Sequence, residues 1–427
     1  MTDDARAIAP LTAPPDAVVR VPGSKSISNR VALLAALADG PSELDGILFS
    51  DDTRHMATAL RALGVAVAAD EAAARLTIEG CGGRWPSAAA ALDVGNAGTA
   101  MRFLVAALCL GHGRFRIDGT ARMRERPIQE LVDALRPLGG NAICELRSGA
   151  PPVLIEAHGL VGGATTLSAA RSSQFVSALL QAAPYAAHDV AITLIGPVIA
   201  EPYIDMTIAI MAQWGVTVER DGRRVFRVRA GQRYRARRYA VEPDASSAHY
   251  FWAAAALTGG RVRVEGLSRT SLQGDVAFAA LLERMGAEVR WEAEAIEVRG
   301  RDRLDGVTVD MNAYSDTAPT LAALAPFASG PVRIDNVAHL RLQESDRLHA
   351  VASELGRLGA RVEERPDGLT IWPSVLRGTA LDTYDDHRLA MALALIGLRV
   401  PGVVIRDPGC VAKTFPDYFT RLDELRR

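Results

Sequence analysis

The sequence predicts an α/β protein with two domains, because one pattern of helices and strands recurs along it. Apolar helical runs start at intervals of 70 to 74 residues, near Arg30, Arg102, Gln174, Ala248, Ala318 and Arg388. Amphipathic runs end at a glycine that precedes a strand-like segment, at Gly64, Gly139, Gly215, Gly286 and Gly359. About 70 residues with two helices and several strands form a complete α/β unit, and single cores seldom exceed about 300 residues. Six units in 427 residues therefore predict two domains of three units each.

Each unit is expected to contain an apolar helix with a polar start, a second, amphipathic helix, and strands that follow a glycine. Glycine directly after a helix is a typical C-cap. At Gly215 it precedes the alternating strand pattern of residues 216–218. The sixth unit reaches the end of the chain without a closing strand, and the strand-like residues 17–21 could supply it.

The boundary between the domains is predicted after the third unit. There an arginine-rich stretch, residues 233–238, leads to the helix-breaking Glu242-Pro243-Asp244. We expect residues 23–242 to form the first domain and residues 243–427 with 1–22 to form the second. Two strands of chain would then form a hinge, which favours a cleft that opens and closes.

The composition argues against several classes of function. The net charge is −2 and the pI about 6.5, without a long block of like charge, so nothing predicts binding to nucleic acid or to a membrane. Eight arginines lie between residues 223 and 238, but they alternate with apolar residues as on solvated strand faces. The four cysteines lack metal-ligand spacing, and no apolar run is long enough to span a bilayer. These features predict a soluble, cytoplasmic protein.

Two positions stand out among the 48 basic residues, because only Lys25 and Lys413 are lysines. Arginine is planar and permanently charged, whereas lysine offers a compact ammonium group that can titrate. Lys25 lies in a loop directly before the first apolar run, and Lys413 lies just before the last amphipathic stretch. Both lysines are therefore candidates for a chemical role at a helix start.

The starts of the apolar helices are rich in small, polar and charged residues. They comprise residues 24–26, 95–100, 171–174, 244–247, 315–317 and 385–388. A helix N-terminus with basic groups beside it attracts phosphate or carboxylate, so the pattern predicts an anionic ligand. Taken singly, Asp316 and Asp386 could be ordinary helix caps. Glu344 and Arg347 could likewise form an ordinary helix ion pair.

Six segments resemble the 5-enolpyruvylshikimate-3-phosphate synthase family, in order and at matching separations. They are residues 22–30 (PGSKSISNR), 95–102 (GNAGTAMR), 122–127 (RMRERP), 172–174 (SSQ), 384–388 (YDDHR) and 412–418 (AKTFPDY). The resemblance implies a two-domain inside-out α/β barrel with three βαβαββ units per domain. It also implies a monomeric enzyme of aromatic amino acid biosynthesis without metal or organic cofactor. The enzyme would transfer the enolpyruvyl group of phosphoenolpyruvate to the 5-hydroxyl of shikimate 3-phosphate and release phosphate.

The resemblance implies roles for individual residues as well. Shikimate 3-phosphate is expected to contact Lys25, Ser26, Arg30, Ser172, Ser173, Gln174, Tyr203, Asp316, His339 and Gln343. Phosphoenolpyruvate is expected to contact Lys25, Gly98, Arg126, Gln174, Arg347, Arg388 and Lys413. Addition needs a base at the hydroxyl and an acid at the methylene carbon, and elimination returns both protons. Asp316 is the expected base, Glu344 with either lysine the expected acid, and His387 a supporting group.

Four positions depart from the family pattern. Gln343 stands where the family usually has lysine, Ala200 where a phosphate-binding serine is usual, and His339 where asparagine is usual. These three concern the shikimate 3-phosphate side, whereas the phosphoenolpyruvate side is intact. Phe103 replaces a common proline beside the Gly98 loop, which leaves the response to inhibitors that mimic phosphoenolpyruvate open.

Two alternatives remain open at this point. The related enolpyruvyl transferase that acts on UDP-N-acetylglucosamine usually carries a reactive cysteine in the loop that matches residues 121–127, and this chain has none there. A non-catalytic or altered-acceptor relative that binds anions would be compatible with Gln343 and Ala200. Exchange of solvent deuterium into the methylene of phosphoenolpyruvate distinguishes a mere binder, because a binder gives no exchange.

Overall fold

The structure, a computed structural model, describes residues 4–426. The chain divides into two compact units. The N-terminal unit is Gly23–Val241, and the C-terminal unit combines the segment that ends at Pro22 with the chain from Glu242 onward. Among the described residues, no helix is both long enough and apolar enough to cross a membrane.

Helices and strands alternate along the whole described chain. The α-helices are α1 (Lys25–Leu37), α2 (Asp51–Ala62), α3 (Gly98–Leu108), α4 (Gln129–Leu135), α5 (Gln174–Ala182), α6 (Pro202–Gln213), α7 (Ala245–Thr258), α8 (Ala277–Arg284), α9 (Ala318–Leu324), α10 (Arg347–Arg357), α11 (His387–Gly397) and α12 (Tyr418–Glu424). The strands are β1 (Ala5–Ala7), β2 (Asp16–Val19), β3 (Pro41–Asp45), β4 (Val67–Asp70), β5 (Arg75–Glu79), β6 (Ala89–Asp93), β7 (His112–Asp118), β8 (Ala142–Cys144), β9 (Val153–His158), β10 (Gly163–Ser168), β11 (Val190–Ile195), β12 (Val218–Asp221), β13 (Val225–Val228), β14 (Arg238–Ala240), β15 (Arg261–Glu265), β16 (Glu288–Trp291), β17 (Ala295–Arg299), β18 (Thr308–Asp310), β19 (Val332–Asp335), β20 (Val362–Arg365), β21 (Gly368–Ile371), β22 (Ala380–Leu381) and β23 (Val404–Arg406).

Within residues 4–426 these strands form six sheets, three in each unit. The N-terminal unit contains β14-β3-β5-β4, β6-β7-β9-β8 and β10-β11-β13-β12. The C-terminal unit contains β2-β15-β17-β16, β18-β19-β21-β20 and β22-β23-β1. In every sheet the first two strands run parallel and the third runs antiparallel to them. Parallel neighbours need a crossover, which a helix supplies in four of the sheets, whereas the pairs β14–β3 and β2–β15 join distant segments of the chain. The predicted α/β class and its βαβαββ repeat are therefore confirmed.

The first helix of each copy lies in the interior of its unit. α3 packs against α1 and α5 in the N-terminal unit, and α7, α9 and α11 pack against one another in the C-terminal unit. Every residue of α3 and α11 is buried, as is α1 from Ile27 to Leu37. A helix that is apolar on all faces must be enclosed on all faces. The sheets therefore lie outside the helices, which is the predicted inside-out arrangement.

Glycine ends the second helix of five copies, as the sequence predicts. The φ angles are 85° at Gly64 and Gly139, 89° at Gly215, 96° at Gly286 and 93° at Gly359. These values lie in the left-handed region that glycine adopts without steric cost. The backbone can thus turn directly from each second helix into the next strand.

Residues 17–21 do not close the sixth sheet, so that expectation is wrong. β1 closes it by pairing antiparallel with β23, with Ala5 opposite Arg406. β2 instead lies parallel to β15, with Val18 opposite Arg263. The reason is that each sheet has a parallel pair of strands at one edge. β14, which precedes β15 along the chain, is the edge strand beside β3 in the N-terminal unit. β2 therefore takes the corresponding edge position beside β15.

Replacing Gly397 with alanine tests the packing of the N-terminal segment on α11. A Cβ atom at Gly397 would lie 2.5 Å from Cβ of Ile8, closer than two carbon atoms normally approach. Because the segment would have to shift, Gly397→Ala is expected to lower the free energy of unfolding by about 1–3 kcal/mol, measured by urea denaturation.

Gly356→Ala on α10 is the matched control, because nothing lies within 4 Å of the corresponding Cβ position. Better helix propensity should raise the free energy of unfolding by about 0.5–1 kcal/mol in this variant. Equal effects of the two substitutions would contradict the contact between Ile8 and α11.

Candidate functional site

The start of α1 holds Lys25 in a mostly buried position. The side chain of Ser24 caps the helix by accepting a hydrogen bond from the amide of Ile27, at 3.4 Å. Lys25 Nζ lies 3.4 Å from Oδ2 of Asp52, which is buried in the first turn of α2. An ammonium group at a helix N-terminus faces a positive helix dipole, so the carboxylate offsets this repulsion. The pair fixes a basic group at the start of α1.

Arg30 is buried and hydrogen-bonded within the N-terminal unit. Its Nε donates to Thr207 Oγ1 at 2.8 Å, and its Nη1 donates to the carbonyl of Ser26 at 2.9 Å. Its Nη2 donates to Ser177 Oγ at 3.4 Å and to the carbonyl of Tyr203 at 3.2 Å. Burial lowers the pKa of Arg30 to about 10. Arg30 therefore stays charged near neutral pH and ties α1 to α5 and α6.

The start of α3 brings two buried guanidinium groups to a glycine. A Cβ atom at Gly98 would lie 2.4 Å from Arg102 Nη1 and 2.6 Å from Arg126 Nη2, so only glycine permits this approach. Arg126 Nη1 also donates to both oxygens of Asn96, at 3.1 Å each. A helix N-terminus flanked by two guanidinium groups is well suited to binding a phosphate or a carboxylate.

The start of α5 contacts the start of α3. Gln174 Nε2 donates to Thr99 Oγ1 at 3.3 Å. Ser172 Oγ accepts from the amide of Gln174 at 3.2 Å, and Ser173 is buried beside it. Tyr203 lies in the first turn of α6, which packs against α5 and α1. The N-terminal unit thus places the starts of α1, α3, α5 and α6 close together.

Arg347 is the centre of a buried charge cluster in the C-terminal unit. Its Nε donates to Asp386 Oδ2 at 2.8 Å, and its Nη2 donates to Glu344 Oε2 at 2.8 Å and to Asp386 Oδ1 at 3.2 Å. Its Nη1 donates to Asp316 Oδ1 at 3.1 Å and to Gln343 Oε1 at 3.3 Å. One guanidinium group therefore fixes the positions of three carboxylates.

Charge compensation makes this burial possible. Burial alone would lower the pKa of Arg347, but the carboxylates of Asp386, Glu344 and Asp316 hold its pKa above the usual value. Arg388 Nη2 lies 2.6 Å from Asp316 Oδ2, so a second guanidinium group holds the other oxygen of this carboxylate. Buried charges of this kind require partners of opposite sign. Asp316 is thereby held in one orientation between α9, α10 and α11.

His387 lies beside this cluster, and Lys413 lies on a segment that packs against α11. His387 is fully buried, with Nδ1 3.6 Å from Asp386 Oδ1. Asp386 caps α11 by accepting a hydrogen bond from the amide of Arg388 at 3.0 Å. Lys413 is 9% exposed and ends the 3₁₀ segment Pro408–Lys413, which packs against α11. His387 is therefore fixed at the start of α11, and the segment that carries Lys413 packs against the same helix.

Two of the departures from the family pattern have defined contacts. His339 Nε2 lies 2.8 Å from Ser315 Oγ, and burial lowers the pKa of this imidazole to about 4, so it is neutral at pH 7. Gln343 Oε1 accepts from Arg347 Nη1. An uncharged group thus contacts Arg347 at the position where the family usually has lysine.

The other two departures are buried. Ala200 precedes α6 and has a φ angle of 48°, in the left-handed region. Phe103 is a core residue of α3, and the guanidinium carbon of Arg30 lies 5.1 Å from the centre of its ring. Phe103 therefore stabilises the charge of Arg30 through a cation–π contact.

Sequence reasoning missed Asp52, Arg102 and Asp275. Arg102 follows Gly98 by four residues on one face of α3, so helical spacing could have identified it. Asp275 accepts a hydrogen bond from Ser246 Oγ, and its turn, Gly274–Val276, packs against Asn312–Thr317. Burial and the nearby charge of Asp316 raise the pKa of Asp275 to about 6. No local pattern around Asp275 indicates this contact.

Comparison with known proteins gives a consistent result. Residues 12–422 match the model of the EPSP synthase (3-phosphoshikimate 1-carboxyvinyltransferase) family. The chain is 48% identical over 422 residues to the 3-phosphoshikimate 1-carboxyvinyltransferase of Nostoc sp., covering 99% of both chains. It is 47% identical over 428 residues to the chloroplastic enzyme of Petunia hybrida, covering 96% of this chain and 83% of that one. A solved EPSP synthase structure from Acinetobacter baumannii has a TM-score of 0.82 at 26% identity, covering 99% of this chain and 98% of that one.

His339 predicts a pH dependence of stability. The pKa of His339 in the folded protein is about 4, below the usual 6.5. The contribution of this residue to the free energy of unfolding is therefore fully present above about pH 6.5 and is lost as the pH falls toward 4. Between about pH 6.5 and pH 4, the free energy of unfolding of the wild type should therefore fall relative to that of His339→Asn. The relative loss should amount to a few kcal/mol at most, because one pKa unit corresponds to about 1.4 kcal/mol. Parallel curves of unfolding free energy against pH for the two proteins would contradict the buried neutral imidazole.

Proposed function

Because the chain belongs to the EPSP synthase family, and so transfers the enolpyruvyl group of phosphoenolpyruvate to shikimate 3-phosphate in aromatic amino acid biosynthesis, we propose that the two groups of residues described above carry out this transfer. The observation that supports the proposal most directly is the cluster around Arg347. It combines guanidinium groups that can bind an anion with carboxylates that can accept and donate protons.

The phosphate and carboxylate of phosphoenolpyruvate are proposed to bind the arginines, the two lysines and the start of α3. The residues concerned are Lys25, Gly98, Arg126, Gln174, Arg347, Arg388 and Lys413. The approach of Arg126 to Gly98 supports this assignment, because backbone amides and a guanidinium group then face the same point. Guanidinium groups bind carboxylate and phosphate through paired, charge-assisted hydrogen bonds.

Shikimate 3-phosphate is proposed to bind at the polar helix starts of the N-terminal unit and beside Asp316. The residues concerned are Lys25, Ser26, Arg30, Ser172, Ser173, Gln174, Tyr203, Asp316, His339 and Gln343. The side chain of Arg30 already has several protein partners, so its proposed contribution is mainly its charge and its hold on the start of α1. The uncharged Gln343 and the neutral His339 would recognise hydroxyl groups rather than a phosphate.

The chemistry is an addition followed by an elimination. Asp316 is proposed to take the proton of the acceptor 5-hydroxyl as its oxygen attacks the enol carbon. Glu344, with Lys25 or Lys413, delivers a proton to the methylene carbon, which becomes a methyl group. Elimination then returns a proton from that methyl group, reforms the double bond and releases phosphate. Proton transfers of this kind contribute about 10²- to 10⁴-fold in rate.

The hydrogen bonds around Asp316 support its proposed role as the base. Both of its oxygens accept from guanidinium groups, so the carboxylate is held in one orientation before substrate binds. Such preorganisation reduces the reorganisation needed during reaction. His387 is proposed to act through Asp386 as a positioning residue, because it is fully buried.

We further propose that the protein acts as a monomer in the cytoplasm and that the reaction needs no metal or organic cofactor. Addition and elimination at an enol phosphate involve no net redox change, and acids and bases of the chain can transfer the protons. Size-exclusion chromatography tests the oligomeric state, and activity in the presence of a chelator tests the independence from metal.

Lys413→Arg tests the role of the lysines. Wild-type protein should release phosphate only when phosphoenolpyruvate and shikimate 3-phosphate are both present. Lys413→Arg should lower kcat by about 10²-fold or more, because guanidinium is bulkier and does not exchange protons near neutral pH. Arg421→Lys, an exposed substitution on α12, is the control and should leave the rate unchanged.

The same assay separates the alternatives. Phosphate release with UDP-N-acetylglucosamine and not with shikimate 3-phosphate would contradict the assigned acceptor. No release with either acceptor, together with no deuterium exchange into phosphoenolpyruvate, would indicate a protein that only binds anions. Full activity of Lys413→Arg would contradict the role of Lys413 alone.

A further inference from the structure

The N-terminal unit contains a cavity that the proposed reaction does not use. The cavity has a volume of about 190 Å³ and lies between α1, α2 and the β4–β5 hairpin. Its lining residues come from residues 28–76, and none of them is among the residues assigned to substrate. The cavity therefore needs an explanation of its own.

Eight of the fifteen residues that line the cavity are apolar, and six of these are buried. Ala32, Ile47, Leu48, Met56 and Leu76 line it and are each at most 4% exposed. Protein interiors are usually packed without voids larger than a water molecule. An apolar cavity of about 150 Å³ is large enough to bind benzene. The space here is thus sufficient for a molecule with one six-membered ring.

One wall residue is polar and incompletely hydrogen-bonded. Asn29 is 1% exposed, and its Nδ2 donates to the carbonyl of Lys25 at 3.1 Å. Its carboxamide oxygen has no hydrogen-bond partner within residues 4–426. Ser28, the next polar wall residue, already accepts a hydrogen bond from the amide of Leu48 at 3.2 Å. Buried acceptors without a partner are rare, so Asn29 indicates a missing donor.

A surface ion pair stands beside the cavity. Arg54 on α2 donates to both carboxylate oxygens of Glu71, at 3.2 and 2.7 Å, and both residues line the cavity. Their side chains are 46% and 55% exposed. Exposed ion pairs contribute little to stability, so these long side chains can move aside at small cost. A ligand could therefore enter from solvent between α2 and the hairpin.

We propose that this cavity is a binding site for one compact, mainly apolar molecule with a single hydrogen-bond donor, such as a phenol. The ring occupies the space between α1 and α2, and the donor hydrogen-bonds to Asn29 Oδ1. The apolar wall contributes affinity by burying the ring, and Asn29 contributes selectivity for a donor.

Calorimetric titration of the full-length protein with phenol and with benzene tests the proposal. Phenol should bind saturably and about fivefold more tightly than benzene, as expected for one net hydrogen bond. Ala57→Leu places a larger side chain in the cavity wall and should abolish binding of both. Ala62→Leu is the matched control on the exposed face of the same helix and should leave binding unchanged.

Asn29→Leu provides a second, independent variant, in case Ala57→Leu does not fold. It keeps the shape of the side chain and removes the acceptor, so benzene should still bind while the preference for phenol disappears. Absence of saturable phenol binding to the wild type would overturn the proposal. Unchanged binding in a folded Ala57→Leu protein, or an unchanged preference in Asn29→Leu, would do the same.

Discussion

A helix that is apolar on every face must be enclosed on every face, and this constraint determines where polar chemistry can occur in each unit. α3 and α11 are buried along their whole length, and α1 nearly so. The charged residues of these helices therefore lie only in their first two turns, at Lys25 and Arg30 on α1, Arg102 on α3 and Arg388 on α11. The starts are the favourable ends for anions, because free amides and the helix dipole attract negative charge. Enclosing the helices thus also brings their polar starts together within each unit.

The two units use this arrangement differently, as their buried arginines illustrate. Arg30 has neutral partners, and burial lowers its pKa to about 10. Arg347 lies among three carboxylates, which hold its pKa above the usual value. Arg30 thus donates to hydroxyl and carbonyl oxygens, whereas Arg347 holds three carboxylates in fixed positions. This difference supports the proposal that Asp316 and Glu344 of the C-terminal unit transfer protons.

The sequence was sufficient to predict the repeat, because its signals are local. A polar helix start, an apolar run and a C-cap glycine each depend on a few adjacent residues, and Gly64 or Gly359 can be identified without knowing the partner strand. The strand that closes the sixth sheet could not be identified in this way. Its pairing joins Ala5 to Arg406, and β1 is short and rich in alanine. Asp275 escaped prediction for a similar reason, since its environment depends on Ser246 and Asp316.

The repeated units resemble one another most at positions where only the backbone geometry constrains the residue type. The C-cap glycines occupy the same place in five copies, because each backbone must turn in the left-handed region there. The N-cap residue of the first helix is serine, alanine, threonine or aspartate according to the copy, because several residue types can occupy this position. Only the side chains beyond the cap then decide what the site binds. The fold therefore requires the glycine turns and leaves the residues at the helix starts free to vary from copy to copy.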